Sequence, residues 1–341
     1  MEGAVAGAER VLHEVAAGAV SRRRGQGHGR VVHRGGVAVE AGGAGTFAFA
    51  GWRALLAVTR VVPLPVLCAI AGLVGSAMYY CWPQGRRTML RNYARVLPEA
   101  TAGERNRIAR QSLANYLRYM VEFAASGNLS PQERLAVGVE TPAFDGVDRG
   151  MERGRGVLVV PMHFGNWDLA ATNTAARGYT MTVVGESFGN PGLDELIVRG
   201  REALGVRLVK MEKVGPSLVR SLKRNEMVAT LIDRPLHEGG VRVRFFGEEV
   251  EVPAGPARLA LRTGASIGAV AFPRRGPGRI DILGNFDLGF EPSGDSDRDV
   301  QALTQAIMTA HEAYVRKYPE QWYMFREFWE AHTSDEASKE R

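Results

Sequence analysis

The chain reads as an α/β protein with a mainly parallel central sheet flanked by helices, preceded by an N-terminal helical, membrane-associating region. Three observations predict this. From about Glu140, short apolar runs alternate with helical stretches, the signature of βαβ units. Ahead of that pattern, Val61 to Gly85 contains no charged residue. Arginine-rich helical stretches then follow the apolar segment at once.

The whole chain sets the bounds. Its 341 residues suffice for one large domain or two smaller ones. With 45% hydrophobic and 23% charged residues it has the composition of a globular protein. A formal charge of +6 suits nucleic acid, anionic lipid or acidic small molecules, and alone selects none of them. The two cysteines, Cys68 and Cys81, form no CxxC pair. That argues against a disulfide framework or cysteine zinc site and for a reducing, cytoplasmic setting.

Residues 1–48 read as a low-complexity arm, with Arg22-Arg23-Arg24 set among glycines. A disordered extension is the plain reading, and a basic arm touching anionic lipid the functional one. No signal-peptide core with a cleavage pattern follows Met1, so secretion is not expected.

Residues 49–130 form the expected helical region. Trp52, Leu55, Leu56 and Val58 recur at helical spacing. Pro63 and Pro65 interrupt the start of the uncharged stretch, which leaves Val66–Trp82 as a continuous helix, short for a bilayer span. Tyr79, Tyr80 and Trp82 resemble an interfacial aromatic belt, with Arg86, Arg87 and Arg91 directly after. Three readings stay open: an interfacial or groove helix, a buried core helix, and a transmembrane span. Two further helices run from Arg86 to Leu97 and from Glu104 to Phe123, with arginines at 86, 87, 91, 95, 105, 107, 110 and 118. These are either an ordinary solvated face or a membrane-surface patch.

Residues 131–332 form the expected α/β core, and 333–341 a loose tail. Strands are expected at Val157–Val160, Met181–Val184, Val206–Val209, Val228–Ile232, Ile267–Phe272 and Arg279–Leu283. Val241–Phe246 and Glu249–Val252 read as a hairpin. Helices fall at Asp168–Ala176, Leu193–Leu204, Pro216–Lys223, Pro253–Thr263 and Asp297–Tyr318, and the aromatic run Gln321–Trp329 should pack down.

Active sites of open α/β sheets gather at strand carboxyl ends. His163 stands at such a position after Val157–Val160, and Asp233 after Val228–Ile232. Imidazole suits proton transfer near neutral pH, and as a base it needs its other nitrogen held by a carboxylate. Asp168 is the nearest carboxylate in sequence. Its five-residue spacing becomes workable if His163 precedes the turn, Gly165 lets the backbone bend, and Asp168 sits in the first helical turn. A metal reading of the same pair has no second histidine or carboxylate at ligand spacing.

The string His163-Phe164-Gly165-Asn166-Trp167-Asp168 resembles the signature of the bacterial lipid A and phosphatidylinositol mannoside acyltransferases, a branch of the lysophospholipid acyltransferase superfamily of the HxxxxD type. Arg91-Asn92-Tyr93-Ala94-Arg95-Val96-Leu97, Asp233-Arg234-Pro235, Phe245-Phe246-Gly247-Glu248 and Pro253-Ala254-Gly255-Pro256-Ala257 are similar to further blocks of that family. The Asp-Arg form looks more like the mannoside branch. The resemblance covers about residues 50–330.

It implies transfer of a fatty acyl group from acyl-CoA or acyl-carrier protein, as co-substrate and with no cofactor or metal, to a hydroxyl of a membrane glycolipid. His163 would act as general base oriented by Asp168, with donor and acceptor reacting directly. Glu238 is a second candidate partner for His163. Glu186, Arg201, Arg234 and Asn166 are candidate substrate contacts, and Arg201 suits a phosphate through its planar fork. The implied partners are the acyl thioester, the glycolipid acceptor and an anionic membrane surface, not nucleic acid. The implied location is the cytoplasmic face of the cell membrane, by peripheral attachment or a single N-terminal anchor. A thioester or lipid hydrolase using the same histidine, and a non-catalytic lipid-binding protein, are the alternatives.

Overall fold

The computed structural model describes residues 43–185, 190–210, 214–234 and 240–329. Residues 1–42 of the expected arm and the tail expected at 333–341 lie outside them. Among the described residues, six helices precede the first strand: α1 (Gly43–Val58), α2 (Leu64–Cys81), α3 (Pro83–Val96), α4 (Ala102–Ser126), α5 (Pro131–Ala136) and α6 (Ala143–Glu152).

Helix α2 begins two residues earlier than the prolines imply. Pro65 falls in its first turn, where an absent N–H breaks no intrahelical bond. One face of α2, with Leu67, Cys68, Ala71 and Gly75, packs on α4. The approach is close: a Cβ at Gly75 would stand 2.7 Å from the Ala114 Cα. The opposite face exposes Val66, Ile70, Leu73, Val74 and Tyr80. The helix therefore combines a packed face with an apolar exposed one. Helix α4 starts at a capping box, in which the Thr101 hydroxyl and the Glu104 carboxylate satisfy each other's backbone N–H.

The core alternates as expected: β1 (Val157–Val160), α7 (Trp167–Ala176), β2 (Met181–Gly185), α8 (Pro191–Ala203), β3 (Val206–Lys210), α9 (Val214–Lys223), β4 (Met227–Ala229), the hairpin β5 (Val241–Phe245) and β6 (Glu248–Val252), α10 (Gly255–Thr263) and β7 (Ser266–Ala271). Two short pairs, β8 (Arg274–Gly276) with β9 (Arg279–Ile280), and β10 (Leu283–Asn285) with β7, precede α11 (Ser296–Lys317) and a 3₁₀ turn at Pro319–Gln321. The central sheet runs β10-β7-β1-β4-β2-β3, parallel except for the antiparallel edge β10.

Two expectations shift. The segment Arg279–Leu283 is not one strand; it serves two different pairings, β9 and β10, on either side of Asp281, whose carboxylate holds Arg275. β4 is shorter than Val228–Ile232. The chain still follows β1, with Thr230 N–H donating to the Val159 carbonyl and Ile232 N–H to that of Pro161, but Pro161 has no N–H to return. The hairpin turn places Phe246 and Gly247 at φ of 52° and 83°, the paired positive values of a two-residue turn matched to strand twist. Below it, Phe245 packs with Trp322, Phe328 and Trp329, so the aromatic run does pack down.

Candidate active site

Strand order brings the site together. β1 and β4 are parallel neighbours in register Val157↔Met227 to Val159↔Ala229. The pairing carries past both strands through Ile232 and Pro161, so His163, two residues beyond Pro161, and Asp233, next after Ile232, arrive side by side. Asp233 Oδ1 lies 2.8 Å from His163 Nδ1. Its Oδ2 accepts the His163 backbone N–H at 2.8 Å and the Trp322 indole N–H at 3.4 Å. Asp233 is fully buried, and the His163 side chain is 18% exposed, enough to reach a substrate.

Burial opposes ionisation of Asp233, but the imidazole, its hydrogen bonds and the charge of Arg234 outweigh it and hold the carboxyl below its ordinary value. An ionised carboxylate only accepts, so Nδ1 carries the proton and Nε2 presents a lone pair. Arg234 Nη2 donates to that lone pair at 3.4 Å. His163 lines a recess with Tyr116, Arg234, Tyr323, Met324, Phe325 and Arg326.

The turn between His163 and α7 is held on both sides. Gly165 has φ +63°, and a Cβ there would lie 1.9 Å from the Phe272 carbonyl oxygen. Gly165 N–H donates to the Gln321 carbonyl, Asn166 N–H to that of Phe272, and Tyr323 N–H to that of His163, each at 2.9 Å. Chain from β7 and from the aromatic segment thus grips the turn. Beneath it, His311 on α11 lies 2.9 Å through Nε2 from the Val160 carbonyl; burial pushes its imidazole down to about 4, so the neutral ring donates.

The expected His163–Asp168 pair does not form. Asp168 does fall in the first turn of α7, but its carboxylate points to the other side of that turn. There it accepts Arg201 Nε at 2.7 Å, Arg201 Nη2 at 3.1 Å and the Tyr119 hydroxyl at 2.6 Å. Trp167 stands edge-on to the imidazole at 5.4 Å and packs on Tyr119 at 4.2 Å. Asp168 therefore braces the wall beside His163. Burial would weaken the Arg201 charge, but Asp168 and Tyr119 raise its pKa. With its fork on Asp168, Arg201 is not presented to a phosphate.

Asn166, expected at the substrate, is wholly buried. Its Oδ1 caps α7 by accepting Leu169 N–H at 2.9 Å, and its Nδ2 donates to Glu122 at 2.8 Å. Glu122 in turn holds Arg274 in a buried ion pair. Arg234 is brought beside His163 in the recess. Glu186 and Glu238 lie outside the described residues. Sequence reasoning marked Asp233 as a strand-end carboxylate but not as the partner of His163; only knowledge that β4 lies next to β1 would have revealed it. Nothing local signalled Tyr119, Trp322 or Tyr323.

Residues 44–331 match a family model described as bacterial lipid A biosynthesis acyltransferase. The chain is 31% identical over 292 residues to a phosphatidylinositol mannoside acyltransferase of Mycolicibacterium smegmatis, covering 84% of this chain and 91% of that one. It is 28% identical over 294 residues to a protein of the same name from Mycobacterium tuberculosis strain CDC 1551, covering 84% of this chain and 88% of that one.

Proposed function

The chain belongs to the bacterial lipid A biosynthesis acyltransferase family, and from that premise we propose that it moves a fatty acyl group from acyl-CoA or acyl-carrier protein onto a hydroxyl of a mannosylated phosphatidylinositol. The observation that carries the mechanism is the 2.8 Å contact between His163 Nδ1 and the buried Asp233. It leaves Nε2 as the base, in the recess His163 shares with Arg234, whose guanidinium the acceptor hydroxyl displaces.

His163 takes the proton of the acceptor hydroxyl as that oxygen attacks the thioester carbonyl. Asp233 holds the tautomer and offsets the imidazolium charge that forms. Such a base contributes roughly 10²–10⁴ in rate. Donor and acceptor react in one ternary complex, so no serine nucleophile is required. Asp168, with Arg201 and Tyr119, keeps Trp167 against the imidazole and has no direct proton role.

The apolar exposed face of α2 lies in the membrane surface in this reading, with the protein attached peripherally on the cytoplasmic side. Its packed face supports this over a span, because a helix crossing the bilayer would surrender the contact with α4. The arginines of α3 and α4 add attraction for anionic lipid.

Purified protein given a long-chain acyl-CoA and a phosphatidylinositol mannoside should yield the acylated glycolipid by mass spectrometry, and His163→Ala should abolish it with folding intact. Free fatty acid as the main product under saturating acceptor would replace transfer by hydrolysis. Full activity in His163→Ala would remove the mechanism.

A further inference from the structure

Attack on a thioester places negative charge on the carbonyl oxygen, and some donor must meet it. The amides of the turn beside His163 are already engaged. His163 N–H donates to Asp233, Phe164 N–H to the Met162 carbonyl, Gly165 N–H to that of Gln321 and Asn166 N–H to that of Phe272. A backbone oxyanion hole built from this turn would have to break the contacts that hold it in place.

We infer that the guanidinium of Arg234 is the oxyanion donor, and so a catalytic residue instead of a substrate anchor; this rests on the reading of His163 as the base. The distances fit. A hydroxyl giving its proton to Nε2 sits about 2.6–3.2 Å from it, and the attacked carbon about 3–3.5 Å from the hydroxyl oxygen. Arg234 Nη2 donates to Nε2 at 3.4 Å, so in the free protein the guanidinium stands where the acceptor hydroxyl must enter; displaced from Nε2 by that hydroxyl, it stays beside the attacked carbonyl. The charges are also ordered: carboxylate behind the imidazole at Nδ1, guanidinium in front at Nε2. That order favours negative charge at the mouth of the recess, where the carbonyl oxygen would lie.

The acceptor O–H bond breaks and its proton passes to Nε2. The oxygen forms the new C–O bond, and the carbonyl π pair moves onto the carbonyl oxygen, to which Arg234 donates. When that pair returns, the C–S bond breaks and the leaving thiolate takes the proton from the imidazolium. Ester, thiol and neutral histidine remain.

The test uses the full-length protein with a long-chain acyl-CoA and a phosphatidylinositol mannoside in mixed micelles. Arg234→Ala should lower kcat by roughly 10²–10³ while KM for both substrates stays within about threefold, because the interaction exists only in the transition state. Arg234→Lys, which keeps the charge but not the fork, should fall between, and added guanidinium should restore part of the Arg234→Ala rate. A raised KM with unchanged kcat would make Arg234 a binding residue and overturn the inference. So would loss of kcat in Arg326→Ala instead. An Arg234→Ala rate equal to wild type, with His163→Ala inactive, would overturn this inference alone. Full activity in His163→Ala would overturn the reading beneath it. If Arg234→Ala does not fold, the same comparison is made with Arg234→Lys and Arg234→Gln.

Discussion

Replacing Asp233 by asparagine separates the two carboxylates that compete for the role of histidine partner. All three groups facing Asp233 are donors: the His163 amide, Nδ1–H and the Trp322 indole. Asparagine offers one acceptor oxygen and one NH₂ in the same space. If the NH₂ meets the His163 amide, two buried donors oppose each other, at about 1–3 kcal/mol. If it meets the imidazole, Nδ1 must accept and the proton moves to Nε2. The second arrangement is favoured, because the partly exposed Arg234 guanidinium can move off Nε2 whereas the His163 amide is fixed, and it points a proton at the acceptor where a lone pair is needed. Asp233→Asn should therefore lower kcat by roughly 10²–10⁴ with little change in melting temperature.

Asp168→Asn should do the reverse. It removes the counter-charge of the buried Arg201, costing about 3 kcal/mol and roughly 5–10 °C in melting temperature, while the folded fraction keeps kcat within about tenfold. Steady-state transfer kinetics and thermal melts on both variants decide. If Asp168→Asn abolishes turnover in a folded protein while Asp233→Asn leaves it within threefold, the assignment of Asp233 is wrong.

Three further outcomes follow from the geometry. Gly165→Ala puts a methyl where the Phe272 carbonyl stands, at a positive φ, so it should lower both melting temperature and kcat; unchanged melts would show that the turn yields easily. His311 is held neutral by burial, with its folded value at about 4 against an ordinary 6.5, so the unfolded chain binds the extra proton between those values. Its contribution is complete above pH 6.5 and falls by about 3 kcal/mol as pH drops toward 4; urea titrations across this window should show a loss that His311→Gln flattens. Leu73, 73% exposed on the free face of α2, should support vesicle binding: Leu73→Glu should reduce flotation with phosphatidylinositol-containing vesicles and leave the melting temperature unchanged, and undiminished flotation would place the membrane contact elsewhere.

Much was legible in the linear chain because it depends on neighbours in sequence. Apolar runs of strand length, helical periodicity and the glycine-bearing turn after Val160 are local, and they located the sheet, the hairpin and His163 at a strand end. The string His163 to Asp168 was enough to indicate the family. The partner of the histidine was not legible, since it depends on which strand lies next to β1. Hydrogen bonding across the parallel β1–β4 pair, 70 residues apart, sets Asp233 against His163. The five-residue spacing to Asp168 reflects instead the direction in which α7 leaves the turn. Asn166 and Arg201 carry polar groups that look ready for substrate in sequence; tertiary packing turns the first inward to cap α7 and hold Glu122, and closes the second on Asp168. A sequence shows which side chains can form hydrogen bonds, but only the assembled sheet and its flanking helices determine which of those bonds are made inside the protein and which face a ligand.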